Sequence, residues 1–427
     1  MTESQIDYKP RRTPSGILLH AAVILLVTVA LIDASDMMLH LKLPAFAAVF
    51  LVWFYRQLNL NRRMDRERSQ SMPWHVWITV LTVAGAIPLL WVLTGLLKSD
   101  LHSGEAPFGL VKTFLFFSIV LVAISEKINL INYINRLSVI LALVTIAMFV
   151  ISLASPDVSL IISGYVAGKG NGLVAANRTL FGVETGEFYY SACPIMIFPF
   201  TFYLNRWTQN GGRKFASVFL CLLFGTALLL TGARAEILTT LCLVVFFLLR
   251  QTRRRFGWGP ALIASVLVTL FAAATVIPSF TDTKEVSNAV KLKHIHSYYE
   301  EFSHKPGILF SGEGANSAFY SEGFEAWSTV TEVTYLELVR VFGLPMMLMF
   351  FAGMLWIVYS LFANGFQATG LAFLGFLGVA ASNPLLVGST GFLVLAAVYE
   401  QALSKGEGFV PSPNQFRLWG NAIVNRG

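Results

Sequence analysis

The chain has 427 residues, of which 13% are charged and 55% hydrophobic, and its mean hydropathy is +0.64. A soluble domain carries about 25% charged residues, so the composition excludes an ordinary soluble enzyme and predicts an integral membrane protein. The net charge of +7 is carried by clusters between apolar runs, a pattern that speaks for basic membrane loops and against a nucleic-acid partner.

Runs of roughly 20 apolar residues cross a bilayer. Such runs fall near 16–33, 42–58, 75–97, 108–125, 137–154, 189–205, 215–232, 236–250, 260–278, 335–361, 367–383 and 385–402. They predict an all-α polytopic protein of about twelve transmembrane helices. Residues 1–427 read as a single transmembrane domain with no separate soluble part. The first apolar run is followed by more of the same, so it reads as a span and not as a cleaved leader. Basic residues mark every second connection: Lys9, Arg11 and Arg12; Arg56, Arg62, Arg63, Arg66 and Arg68; Arg206, Arg213 and Lys214; Arg250, Arg253, Arg254 and Arg255. The positive-inside rule puts these connections, and with them both termini, in the cytoplasm. The opposite, outer side then carries two long loops, 155–188 and 279–334.

In the first outer loop, "GKGNG" (Gly168 to Gly172) does not follow a strand and open a helix, so it reads as a loop and not as a nucleotide cradle. Arg178, in "AANRTLFGVETGEF", is a candidate substrate contact, with Glu184 and Glu187 as its neighbours or as solvated charges. Further on, "LLLTGARAEILTT" places Arg234 and Glu236 between residues 216–231 and 237–249, which hold no charge. An arginine at a helix junction can snorkel to headgroups, or it can grip a phosphate with a charge-assisted fork. Glu236 either pairs with Arg234 or favours the N-terminus of the next helix.

The second outer loop contains "KLKHIHSYYEEFSHKPGILFSGEGANSAFYSEGFEAWSTVTE". Long loops of this composition are often functional. Lys291, Lys293, His294 and His296 form a basic cluster suited to a diphosphate. No metal site is predicted: the seven histidines make no H-E-x-x-H pattern, and Cys193, Cys221 and Cys242 lie inside apolar runs as packed thiols. Tyr298, Tyr299, Tyr320, Trp327 and Tyr335 either stack on sugar rings or pack the loop itself. In "TEVTYLELVRVFGLP", Thr331 reads as the N-cap of the tenth helix, with Glu332 in its first turn. Glu332 either complements the helix dipole or serves as a base at the membrane surface. Glu337 and Arg340 share a helix face and are expected to pair.

These stretches carry a resemblance. "LLLTGARAEILTTLCLVVFFLL" resembles the T-x-S-R-[GA] signature of the O-antigen ligase and Wzy-type polysaccharide polymerase superfamily. "KLKHIHSYYEEFSHKPGILFSGEGANSAFY" looks like that family's R-x3-W…P-L-x-G-x-G-x-G region, and "TEVTYLELVRVFGLP" its following [HED]-[NS]-x-Y-L-x-L-x-x-x-x-G segment. Order and spacing agree over most of residues 110–400. The resemblance implies a GT-C-like membrane fold and metal-independent transfer of sugar chains from undecaprenyl diphosphate at the periplasmic face of the bacterial inner membrane, with no cofactor. It makes Arg234 the essential arginine. The family's second basic residue falls near Lys291 or Lys293, where this chain has Lys instead of Arg. Glu332 stands where ligases have histidine, which fits a polymerase better. The "GEG" at Gly312 to Gly314 resembles the family's glycine turn, expected to let a backbone approach the ligand.

The expected activity is therefore polymerisation of lipid-linked repeat units, with Glu332 as base and Arg234, Arg178, Lys291, Lys293, His294 and His296 around the diphosphate. The expected partners are undecaprenyl-diphosphate-linked oligosaccharides and membrane lipids, with a chain-length regulator and a flippase as possible associates. An O-antigen ligase, using lipid A core as acceptor, is the first competing reading. A lipid-linked oligosaccharide transporter is the second, weakened by the absence of an internal repeat and by polar groups that collect in outer loops instead of at mid-membrane.

Overall fold

The structure, a computed structural model, describes residues 14–36, 38–62, 72–98, 108–168, 177–180, 183–186, 189–208, 214–256, 259, 263, 266, 286–315, 317–329, 331, 333–381 and 384–404. In chain order its helices are α1 (Pro14–Ile32), α2 (Lys42–Arg62), α3 (Trp74–Lys98), α4 (Phe108–Leu115), α5 (Ile119–Ser125), α6 (Leu130–Ala154), α7 (Pro156–Gly168), α8 (Ile197–Thr208), α9 (Lys214–Leu230) and α10 (Arg234–Phe256). Then come α11 (Val286–His304), α12 (Ile308–Ser311), α13 (Thr334–Phe342), α14 (Leu344–Ala363), α15 (Gln367–Ala380) and α16 (Ser389–Leu403). Two small antiparallel hairpins complete it, β1 (Asn177–Leu180) with β2 (Val183–Gly186) and β3 (Phe319–Ser321) with β4 (Ala326–Ser328).

Five helices among the described residues are long and apolar enough to cross a membrane: Pro14–Ile32, Trp74–Lys98, Leu130–Ala154, Arg234–Arg253 and Leu344–Ala363. Shorter apolar helices run over Val111–Ser125, Phe215–Leu230 and Gln367–Ala380. Helix is the form that satisfies every backbone N–H within its own segment, as a lipid surrounding demands. Large apolar side chains point outward as well as inward: Leu97 is 79% and Ile161 73% exposed. In water each such residue would forgo a transfer gain of about 25 cal/mol per Å²; against lipid tails that loss disappears. The inward faces interlock through aromatic rings, with Phe114 of α4 4.1 Å from Phe392 of α16 and Phe46 of α2 4.8 Å from Phe116, centroid to centroid.

Helix ends meet in two layers. In one, the Asp36 carboxylate after α1 accepts the Lys42 backbone N–H (3.0 Å) and pairs with Lys112 of α4. Lys42 is fully buried, and its ammonium donates to the Ala34 carbonyl (2.5 Å), Ser389 Oγ (2.8 Å) and Thr390 Oγ1 (3.2 Å). One lysine thus ties α1 and α2 to the start of α16. In the other layer, Arg56 near the end of α2 pairs with Glu126 at 2.8 Å, and the Asn364 side chain after α14 donates to the Ala402 carbonyl at 2.8 Å.

Three features depart from the sequence expectation. The helix expected over 335–361 is two, α13 and α14, broken at Gly343 with φ 80° and ψ 157°. That conformation excludes a side chain, and Pro345 stands in the first turn of the next helix, the usual end-and-start pairing of Gly and Pro. The loop expected over 279–334 contains a 19-residue helix, α11, and the loop over 155–188 contains α7 and the β1–β2 hairpin. The thiols divide: Cys193 and Cys221 are buried, but Cys242 is exposed on the outer face of α10, because an apolar run beside lipid need not face the core. Within α3, residues Thr82–Ala86 form a π turn just before Pro88, whose ring nitrogen has no N–H to give the preceding turn. The span expected over 260–278 lies outside the described residues except at 263 and 266.

Candidate functional site

The polar residues of the expected outer region gather around α11, the segment 308–329 and α13. At their centre Arg340 is fully buried. Its Nη2 and Nε form a fork on Glu337, at 2.7 and 3.2 Å. Nη1 donates to Glu313 Oε2 (2.7 Å) and to the Ser317 hydroxyl and carbonyl (2.8 and 2.9 Å), and Nη2 also donates to the Thr329 carbonyl at 3.0 Å. The guanidinium lies 4.7 Å above the Phe319 ring. The expected Glu337–Arg340 pairing is thus present, and the sequence concealed its larger role: one cation collects the 313–329 segment onto α13. All five N–H donors are engaged, the condition under which a buried charge is tolerated.

Tyr298 completes this assembly. It is fully buried, and its hydroxyl donates to Glu337 Oε2 (2.5 Å) and lies 2.6 Å from Thr331 Oγ1. Burial, reinforced by the neighbouring Glu337 charge, pushes the phenol well above its ordinary range. Thr331 was expected to cap the tenth helix. Instead α13 begins at Thr334 with Val333 in the capping position, and the Thr331 hydroxyl is turned to Tyr298 and to the Val333 N–H (3.3 Å). Local cap propensity here gives way to a tertiary bond.

The glycine turn is wedged between helices. Glu313 N–H donates to the Arg340 carbonyl (2.8 Å), Gly314 N–H to Val341 (3.1 Å) and Ala315 N–H to Trp91 of α3 (2.9 Å). A Cβ on Gly312 would stand 2.2 Å from the Val341 carbonyl oxygen, and one on Gly314 2.1 Å from Gly95 N. Close backbone approach is therefore the reason for these glycines, and the backbone approached is the protein's own. Lys98 closes the arrangement, donating to Ser311 Oγ (2.6 Å) and the Gly312 carbonyl (3.0 Å).

The basic residues of α11 do not form one cluster, because a helix sends them to different faces. His294 points inward, its Nδ1 2.6 Å from Ser321 Oγ and its ring edge-on to Phe324 at 4.4 Å. Lys291 is half-buried. Lys293 faces out and lies 3.6 Å from Glu325. His296 also faces out, 3.3 Å from Glu322 and 3.9 Å from Glu300. Tyr299 is exposed, whereas Tyr335 of α13 is half-buried and donates to the Leu377 carbonyl (2.5 Å). Tyr320 and Trp327 are cross-strand partners on the β3–β4 hairpin, both exposed, with ring centroids 6.3 Å apart.

Arg234 is the first residue of α10 and half-buried. Gly232, with φ 67°, turns the chain between α9 and α10. Glu236 in the first turn is fully buried, with its Oε2 2.8 Å from the Thr231 hydroxyl. The favourable meeting of a carboxylate with a helix N-terminus and the Thr231 contact together pin the turn that presents Arg234. Arg178 lies in β1 opposite Thr185; its side chain is outside what the structure describes, and Glu332 lies outside the described residues altogether.

The chain matches no protein-family model and no curated protein.

Proposed function

We propose that this chain is a bacterial inner-membrane polysaccharide polymerase of GT-C-like architecture with about twelve membrane spans. It joins oligosaccharide repeat units carried on undecaprenyl diphosphate at the periplasmic face, in O-antigen, capsule or exopolysaccharide synthesis. The observation that carries the reading is Arg234, set at the head of an apolar helix by the Gly232 turn and by the Thr231–Glu236 contact. A half-buried guanidinium at the end of apolar helices is placed for an anion that arrives on a lipid.

In the proposed reaction a hydroxyl oxygen at the non-reducing end of one lipid-linked unit attacks the anomeric carbon of the growing chain. The bond from that carbon to the diphosphate oxygen breaks, the carbon inverts, and undecaprenyl diphosphate leaves. Glu332 takes the hydroxyl proton. Arg234, with Arg178 and Lys291, offsets the charge that builds on the diphosphate, work that in other enzymes a metal ion performs. The exposed Tyr320 and Trp327 rings offer flat apolar faces of the kind sugars stack on. An apolar cavity lined by Leu31, Leu141, Met148, Ile162 and Tyr190, between α1, α6 and α7, offers a lipid chain a place beside the spans.

A strain lacking the protein tests the reading. We expect single repeat units to accumulate on undecaprenyl diphosphate. Long lipid-linked polymer that never reaches lipid A would replace the polymerase with a ligase.

A further inference from the structure

On the exposed side of α11, away from Arg340, three side chains converge that the proposed transfer does not use. His296 and Glu300 are separated by one helical turn and share a face. Glu322 comes from the turn of the β3–β4 hairpin, 26 residues along the chain from His296. One donor atom from each of the three lies within 4.8 Å of the other two. A divalent ion with bonds of about 2.0–2.2 Å to nitrogen and oxygen holds its ligand atoms roughly 3–4 Å apart. Small rotations of exposed side chains close that difference.

The third ligand is delivered by the fold and not by chance. The Glu322 backbone N–H donates to Ser297 Oγ at 2.9 Å, one residue from His296. The adjoining Ser321 hydroxyl is 2.6 Å from His294 Nδ1. A Cβ on Gly323 would stand 2.4 Å from the His294 ring, so a glycine is required for the hairpin turn to lie this close to the helix. None of these anchors uses the side chains of the triad, and they hold the hairpin turn that carries Glu322 against α11. One imidazole nitrogen and two carboxylates are a donor set that a divalent transition-metal ion takes.

We infer that His296, Glu300 and Glu322 bind a divalent transition-metal ion, which staples the β3–β4 hairpin to α11. One imidazole with two carboxylates selects zinc-like ions over magnesium and calcium, which prefer all-oxygen shells. Three protein ligands leave the remaining positions to water. The ion holds the hairpin that carries Tyr320 and Trp327 and takes no part in the transfer itself, so the inference stands independently of the polymerase reading.

The test uses the full chain, purified in detergent and stripped with a chelator, with zinc chloride as probe. Calorimetric titration is expected to show a site with micromolar or tighter affinity that weakens at least 10-fold in His296→Ala and in Glu322→Ala. Hydrogen exchange across 319–328 is expected to slow on zinc addition in the wild type and not in Glu322→Ala. All three side chains are exposed or half-exposed, so the metal-free variants should melt at the wild-type temperature. Equal zinc affinity in wild type and both variants, or hairpin exchange indifferent to zinc, overturns the inference. A magnesium response matching that of zinc overturns the choice of ion.

Discussion

Arg234 is the residue on which the functional account depends most. Removing a charge-assisted contact to a leaving diphosphate costs on the order of 2–4 kcal/mol, or roughly 30- to 1000-fold in rate. Arg234→Ala should lose polymer by that factor at normal membrane level. Arg234→Lys should stay impaired, because a point charge does not reproduce the fork. Near wild-type polymer from the Ala variant would leave Arg234 as a headgroup anchor only. Glu332→Gln removes the proposed base while keeping the shape, so it should insert normally and leave single repeat units on the lipid; long chains from that variant would assign the proton to another group. Arg340 makes a different prediction, about stability. It is buried with Glu337 and Glu313 as partners, and Arg340→Met strands two inward carboxylates. Loss of one partner from such a pair costs about 3–5 kcal/mol, read as a lowered unfolding midpoint in detergent. Lys305→Ala, at an exposed lysine paired with Glu301 and Glu313, should move the midpoint by about 1 kcal/mol or less.

Among the elements, the break between α13 and α14 has a sharp test. Gly343 sits at φ 80°, and a Cβ there would stand 2.5 Å from the Phe310 carbonyl oxygen, whereas one on Gly353 of α14 meets nothing within 4 Å. Gly343→Ala should destabilise by about 1–3 kcal/mol, while Gly353→Ala should be neutral or stabilise by up to about 1 kcal/mol. Equal midpoints for the two variants would mean that the break is not built on Gly343. The same stretch shows how legible the elements were. The five helices long and apolar enough to cross a membrane could be read directly, because length and hydropathy alone define them. Helix α11 could not, because its inward stripe is His294, Ser297 and Tyr298, polar residues at helical spacing that an apolar-periodicity reading passes over. The Gly343 break was hidden for the opposite reason: both sides of it are apolar, and only the "GLP" step signals a stop followed by a start. In the candidate site, the Glu337–Arg340 pair was legible from its i, i+3 spacing. Glu313, Ser317 and Thr329 were not, since they reach Arg340 through the tertiary path of the segment.

For the whole molecule, the basic residues that mark every second connection between apolar runs predict sidedness. Cysteine placed at Lys293 should react with a membrane-impermeant maleimide from the periplasm in intact cells, and cysteine at Arg206 only after permeabilisation. Labelling in the reverse order would put α11 beside cytosolic nucleotides and remove the basis for a lipid-linked donor. What composition could not convey is how the outer residues assemble: α11, the glycine turn and α13 lock together through backbone contacts to α3 and through one buried arginine. The central claim is that this chain lengthens polysaccharide on its lipid carrier, and reconstitution reaches it most directly. Purified protein in liposomes, given only lipid-linked repeat units, should produce a ladder of products spaced by one repeat, and Arg234→Ala under the same conditions should produce almost none. Repeat units recovered unchanged from the wild-type protein, shown to be folded and inserted, would contradict the account.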